Sequence, residues 1–240
     1  MSIVGNGLTC IVISRDKSMH TATNFYLYNL AISDIIVACA MLIEVQEYML
    51  NFNVFSYYGN GGLVCKIYFI FVVGLWNNGI LIMTALAIER YLAICYPLVL
   101  KSRSVVRRIS KIIMLIWLIV IIETAPEWWS VDVITTKNSS TCYTVPTTYA
   151  RVVNGVMGVV GFLIPLTIMA FVYTMIVYEV RASHRRGVRD QVFNQRDNRR
   201  KVHKLVVVLT LSFLICWLPF FALRMIILIY DLHELVTMKW

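Results

Sequence analysis

Residues 85–97 of the chain read ALAIERYLAICYP. The charged pair Glu89-Arg90 stands near the end of an apolar run that begins near Gly62. Burying an ionisable group at membrane depth is expensive, so a charged pair in such a run predicts a functional site. A basic segment over residues 101–111 follows and marks a cytoplasmic edge. The stretch therefore predicts a membrane-spanning helix with a functional charged pair near its cytoplasmic end.

The composition is that of a membrane protein. Of the 240 residues, 59% are hydrophobic and 15% are charged, whereas a soluble domain usually carries about 25% charged residues. A helix that crosses a bilayer needs about 20 predominantly apolar residues. Such runs predict full spans over Thr21–Leu50, Gly62–Cys95, Ile109–Trp128, Thr147–Val180 and Val202–Tyr230, with a partial span over Met1–Ser14. We therefore expect an all-α membrane protein formed by one bundle of helices.

The net charge of +9 is unevenly distributed, and its distribution predicts the orientation. Most lysines and arginines lie in three gaps on one side, over residues 15–17, 90–111 and 181–204. Loops rich in Lys and Arg stay in the cytoplasm, so these gaps are predicted to be inside. The basic gap over 181–204 either binds anionic lipid or a cytoplasmic partner, or acts only as a positive anchor. This arrangement explains the positive charge without nucleic acid.

Two cysteines fall on the predicted outer face, where disulfides persist. Cys65 opens one span, and Cys142 lies in the loop that precedes another. We expect them to form a bridge that holds the loop across the mouth of the bundle; two unpaired thiols are the alternative. In the same loop Asn138-Ser139-Ser140 matches a glycosylation acceptor.

No enzyme site is visible in the sequence, since it contains no metal-spaced His/Cys cluster and no Gly-rich phosphate loop. We therefore predict a protein that is not an enzyme and needs no cofactor. Asp34 lies deep in a span, with Asn6 as its expected partner, and either faces a hydrated cavity or is a protonated packing residue. Pro165 and Pro219 interrupt two further spans, where proline kinks a helix. Trp217, just before Pro219, is either a mobile switch or an ordinary core residue.

Together these residues resemble the rhodopsin-like (class A) G-protein-coupled receptors. The resemblance covers nearly the whole chain and rests on motifs in the family's order. These are Gly5-Asn6, Leu30-Ala31-Ile32-Ser33-Asp34, Cys65 at the family's interval before Glu89-Arg90-Tyr91, Trp117, Pro165 with Tyr173, and Cys216-Trp217-Leu218-Pro219. The resemblance implies a seven-transmembrane receptor in the plasma membrane that passes ligand binding to a heterotrimeric G protein.

The resemblance also implies roles for individual residues. Glu89 would hold Arg90 in the resting state and release it to the G protein, with Tyr173 supporting the open form. Pro165, Ile80 and Phe213 would form the connector beneath the ligand pocket. Asp34 and Asn6 would lie in the family's sodium pocket, but Gly79 stands where the family usually has Ser. We therefore predict no metal, with a sodium ion at Asp34 in doubt.

The outer half favours a peptide ligand. Amine receptors of this family carry Asp where this chain has Val72. Glu44, Glu47, Glu123 and Glu127 instead form an acidic wall opposite Arg224, which suits a peptide with a basic side chain and a polar C-terminus. We interpret Glu47 and Glu127 as rim charges in contact with water. The predicted ligand contacts are Glu44, Val73, Trp76, Phe220, Phe221 and Arg224.

Within the class, the chain resembles the neuropeptide branch, in particular the neuromedin U/pyrokinin receptor group. The resemblance rests on residues 5–10, residues 23–27, the Glu44-Val45 step and residues 219–224. About six segments are expected, with the first partial and the seventh, with its Asn-Pro-x-x-Tyr motif, missing. We expect the chain as written not to signal. A truncated, non-signalling form that modulates a full receptor is one alternative. A transporter or channel subunit is another, although no internal repeat supports it.

Overall fold

The computed structural model describes residues 2–50, 61–96, 104–135, 140–145 and 147–185. It also describes the isolated helical positions 208, 211, 215, 217–219, 221, 222, 225 and 226, here called the last segment. The helices are α1 (Ser2–Arg15), α2 (Ala22–Leu50), α3 (Gly61–Cys95), α4 (Val105–Thr124), α5 (Thr148–Gly158) and α6 (Ile164–Arg185). A π turn, Val159–Leu163, joins α5 to α6, and 3-10 turns lie over Lys17–Met19 and Ala125–Trp129. The predicted helical membrane architecture is confirmed.

The helix α3 is the centre of the bundle, since α2, α4 and α6 all pack against it. The main core lies at this meeting point and consists of aliphatic side chains with one tyrosine. Its buried members are Tyr26, Ile82, Met83, Leu86, Ala87, Ile109, Ile116, Val120, Met169, Val172 and Ile176. Because α3 is enclosed on several sides, residues along it are well placed to couple the two ends of the molecule.

Three of the described helices are long and apolar enough to cross a membrane. They cover Ala22–Ile43, Gly62–Cys95 and Thr148–Glu179, and Ser2–Arg15 is a shorter apolar helix. The helix α4 begins with basic residues and exposes Met114, Leu115 and Ile122. Exposed aliphatic faces on a helix whose backbone is internally bonded suit contact with lipid. Most of the predicted span 202–230 lies outside the described residues.

The break between α5 and α6 has an identifiable cause. Pro165 has no N–H, so the carbonyl one turn earlier loses its helical donor. The chain widens into the π turn here, where the Ile164 N–H donates to the carbonyl of Val159. Single π turns inside α-helices are typical of functional positions. The kink predicted at Pro165 is therefore accompanied by a locally widened helix.

The outer loop after α4 folds into a hairpin. Antiparallel strands β1 (Val131–Thr135) and β2 (Ser140–Thr144) pair with Val131 opposite Thr144 and Thr135 opposite Ser140. The predicted disulfide is confirmed, because Cys65 of α3 is bonded to Cys142 of β2. The Lys66 ammonium also lies 3.6 Å from the Asp132 carboxylate. The hairpin, which the sequence analysis did not predict, is thus attached to α3 at two neighbouring points.

Candidate functional site: the switch residues along α3

Glu89 and Arg108 form a bidentate ion pair near the inner ends of α3 and α4. Arg108 Nη2 donates to Glu89 Oε1 at 2.6 Å, and Nη1 donates to Oε2 at 3.0 Å. The side chains are only 7% and 17% exposed, respectively. Parallel guanidinium–carboxylate bonds are among the strongest hydrogen bonds in proteins. Both carboxylate oxygens of Glu89 are therefore occupied by a residue of another helix.

Arg90 is the next residue along α3 and is half-buried. Glu89 pairs with Arg108, and the expectation that Glu89 holds Arg90 in the resting state stays a prediction. The buried Nε of Arg90 has no hydrogen-bond partner among the described residues. The charge of Arg90 is still close enough to interact with Glu89 and with Tyr173 of α6. Arg90, Glu89 and Tyr173 are thus brought together, while the two carboxylate oxygens of Glu89 bind Arg108.

Sequence reasoning counted Arg108 only as an inside-positive charge. The signal that could have identified its role is helical phase. Ile112 and Ile116 follow Arg108 at spacings that place all three on one face of α4, and Ile116 is buried. Arg107, the preceding residue, is exposed. A basic residue at the start of a buried face requires an acidic partner, and Glu89 supplies it.

Polar side chains also connect helices in the middle of the bundle. Asn6 lies close enough to Asp34 to influence its carboxyl group, while its Nδ2 donates to Ser2 Oγ at 3.3 Å. Asn78, which sequence analysis did not single out, is fully buried and donates to Ser33 Oγ at 2.9 Å and to Asn29 Oδ1 at 3.1 Å. Within the described ranges no group of three His, Cys, Asp or Glu side chains is placed to hold a metal ion.

Aromatic contacts lie next to these polar groups, towards the outer end of α3. Trp76 of α3 and Trp217 of the last segment meet edge to face, with ring centroids 5.5 Å apart. Ile80, one turn farther along α3, is buried. Pro219 is helical in the last segment, while Phe213, the third expected connector residue, lies outside the described residues.

A second aromatic pair links α5–α6 to the last segment. Phe162 of the π turn stacks on Phe221, with ring centroids 4.6 Å apart. A Cβ added to Gly158 would lie 2.7 Å from Met225 Cε and 3.6 Å from Phe221, so this glycine permits the close approach. Val73 is buried on α3. Phe220, Arg224 and Asn138 lie outside the described residues, as does the side chain of Glu44, a residue that is part of α2.

Glu127 departs from its predicted position. It was expected to be a rim charge in contact with water, but it is fully buried within the 3-10 turn after α4. Pro126 is the second residue of this turn, and the Ser130 N–H donates to the carbonyl of Glu127 at 2.9 Å. Glu123 is half-buried one turn earlier, and its buried Oε2 has no hydrogen-bond partner among the described residues. Two acidic groups therefore lie inside the outer half of the bundle.

Comparison with known proteins agrees with this geometry. Residues 5–238 match the 7 transmembrane receptor (rhodopsin family). The neuromedin-U receptor 1 of Rattus norvegicus is 30% identical over 92% of this chain and 57% of its own length. The growth hormone secretagogue receptor type 1 of Sus scrofa is 29% identical over 92% and 61%, respectively. The substance-P receptor of Rattus norvegicus is 29% identical over 91% and 54%.

The chain spans less than two thirds of the length of these relatives, between 54% and 61%. The resemblance to class A receptors of the neuropeptide type is confirmed by these matches. The prediction that the chain is not an enzyme agrees with the family, whose members are receptors. The chain belongs to the rhodopsin family of seven-transmembrane receptors, which are multi-pass proteins of the plasma membrane.

Proposed function

We propose that this chain forms the transmembrane part of a receptor through which an extracellular neuropeptide drives nucleotide exchange on a heterotrimeric G protein. The observation that carries the proposal is the position of Glu89-Arg90-Tyr91 near the inner end of the central helix α3. There a cation that is not paired with its neighbouring acid lies beside Tyr173. An arginine kept in a membrane helix near the cytoplasm suits recognition of a cytoplasmic partner.

The relatives support the ligand class. Neuromedin-U and substance-P receptors are named for neuropeptides, and their similarity extends along more than nine tenths of this chain. The buried Glu127 and half-buried Glu123 would provide negative charge to a basic side chain of such a peptide. Trp76 and Phe221 would form the aromatic floor, together with Val73, Phe220, Glu44 and Arg224 as further contacts.

A conformational equilibrium would connect the two ends. A ligand shifts such an equilibrium only by binding one state more tightly than the other. The last segment contacts α3 at Trp76 and α5–α6 at Phe162, so it is the element whose position a ligand beside these aromatics would bias. Its displacement would open the inner crevice next to Arg90.

The test uses membranes that contain the full-length receptor carrying this chain, with purified G protein. We expect labelled neuromedin U or substance P to bind and to accelerate nucleotide exchange. Arg90→Ala should abolish that exchange while binding survives, and Arg107→Ala, on the exposed side of α4, should leave both unchanged. Undiminished exchange in Arg90→Ala would refute the assigned role of Arg90.

Two other outcomes separate the alternatives. Binding without exchange, combined with reduced signalling of a co-expressed complete receptor, would favour the non-signalling modulator. Ligand-dependent solute flux without any exchange would favour the transporter or channel subunit.

A further inference from the structure

The strongest polar contact between two helices in the described part of the chain is not the one that the family pattern implies. Glu89 uses both carboxylate oxygens to bind Arg108 of α4, at 2.6 and 3.0 Å. We propose that Arg108 is the counter-ion that keeps Glu89 occupied, and that it thereby positions Arg90 for its cytoplasmic partner. The proposal rests on the function proposed above and assigns Arg108 the role of a positioning residue.

The first step is electrostatic. A buried carboxylate is stable as an anion only with a well-placed partner, and removing that partner is strongly destabilising. Glu89 has two candidate partners, the adjacent Arg90 and Arg108 of the neighbouring helix. The fork of Arg108 matches the carboxylate plane and fills both oxygens, while the Nε of Arg90 lacks a partner among the described residues.

The second step concerns the surroundings of the pair. Tyr26 of α2 is almost fully buried, and its hydroxyl lies within reach of the charges of both Glu89 and Arg108. Tyr173 of α6 is close enough to Arg90 to interact with its charge. The carboxylate is thus surrounded by residues of α2, α3 and α4, and Arg90 interacts with a residue of α6.

The third step is competition. While Arg108 occupies Glu89, the guanidinium of Arg90 is not required to neutralise a buried acid. If Arg108 loses its charge, Glu89 will recruit Arg90, the cation that follows it on α3. Arg90 would then be tied to its own helix and withdrawn from the G protein. Arg108 of α4, through its pairing with Glu89, would therefore determine whether Arg90 of α3 is available to the G protein.

The first experiment tests the pairing without any signalling. Thermal unfolding of the purified full-length receptor is measured in two double-mutant cycles that share Glu89→Gln. In the cycle with Arg108→Met we expect the two shifts to be non-additive by about 5 °C, because the residues are in direct contact. In the cycle with Arg90→Met we expect a smaller non-additivity, because Arg90 interacts with Glu89 without the paired hydrogen bonds that Arg108 makes. Stronger coupling of Glu89 to Arg90 than to Arg108 would overturn the proposal.

The second experiment tests the consequence for Arg90 by ligand-independent nucleotide exchange. Arg108→Met should reduce exchange about tenfold. In this variant Glu89 would bind Arg90, and the fraction of receptor with Arg90 free would fall by about that ratio. The same substitution in the Glu89→Gln background should have no effect, and Arg108→Lys should restore part of the exchange. Arg107→Met is the matched control and should leave exchange unchanged.

The outcomes are distinct. An equal loss for Arg108→Met in both backgrounds would show that Arg108 does not act through Glu89. A receptor that performs no exchange in any form would contradict the proposed function, and the unfolding cycles would still decide whether Arg108 is the counter-ion.

Discussion

Trp76 of α3 and Trp217 of the last segment meet edge to face, with their ring planes inclined by 76°. This arrangement places the positive edge of one indole against the negative face of the other, and such pairs contribute about 0.5–1.5 kcal/mol beyond the area they bury. The pair joins the central helix to the segment that follows the basic gap.

The tryptophan pair predicts measurable coupling. We expect Trp76→Leu and Trp217→Leu to destabilise the folded receptor, with an interaction energy of about 0.5–1.5 kcal/mol in a double-mutant cycle. Thermal unfolding in detergent measures it. Trp129→Leu is the control, because Trp129 is 67% exposed and its replacement should be nearly neutral. Full additivity of the two changes would contradict an energetically significant contact.

Removing the disulfide between Cys65 and Cys142 should lower the stability of the receptor and release the hairpin from α3. We expect Cys65→Ser to lower the free energy of unfolding by about 2–4 kcal/mol, since the bridge closes a long loop. The double variant with Cys142→Ser should be no less stable than the single one. Cys39→Ser, which changes an exposed free thiol, is the control. Surface expression and thermal unfolding measure the effect, and a neutral Cys65→Ser would contradict the structural role of the bridge.

The close packing of α5 against the last segment requires a residue without a side chain at Gly158. An added Cβ would meet Met225 Cε at 2.7 Å, so Gly158→Val should destabilise the fold by about 1–3 kcal/mol through overpacking. Met225→Ala should recover much of that loss by removing the opposing methyl group. Gly7→Ala is the control, because nothing lies within 4 Å of the added atom there. Failure of Met225→Ala to compensate would place the strain elsewhere.

Replacing Asn78 should be costly, because it would leave its polar partners on α2 without a hydrogen-bond donor. Asn78→Leu should destabilise the receptor by about 1–3 kcal/mol, because the polar atoms of Asn29 and Ser33 lose their donor. Thr174→Ala, which removes an exposed hydroxyl bonded within its own helix, should change stability by less than about 0.5 kcal/mol. Thermal unfolding distinguishes them, and equal effects would contradict a linking role for Asn78.

Much of this architecture could be predicted because membrane depth constrains each residue strongly. Apolar runs and basic loops gave an orientation, and the orientation placed Cys65 and Cys142 on the same side, where their bond is found. The pairing of Asn6 with Asp34, argued from the high cost of an isolated acid in the bilayer, stays a prediction.

The sequence was less informative where rotation and local turns decide the outcome. The partner of Glu89 depends on how α4 is rotated and at what height it meets α3, and a count of charges contains neither quantity. The burial of Glu127 depends on the tight turn over Ala125–Trp129, which places this residue inside the protein. From the sequence alone, Glu127 is placed at the end of a helix and is therefore expected to contact water.

The attachments of α3 determine which part of the molecule is free to move. Its outer end is covalently and electrostatically fixed to the hairpin, and its inner end is held to α4 by the Glu89–Arg108 pair. A helix of 35 residues is about 52 Å long, so one rigid rod is anchored on both sides of the membrane. With both ends attached, α3 is the fixed support against which the last segment packs through Trp76.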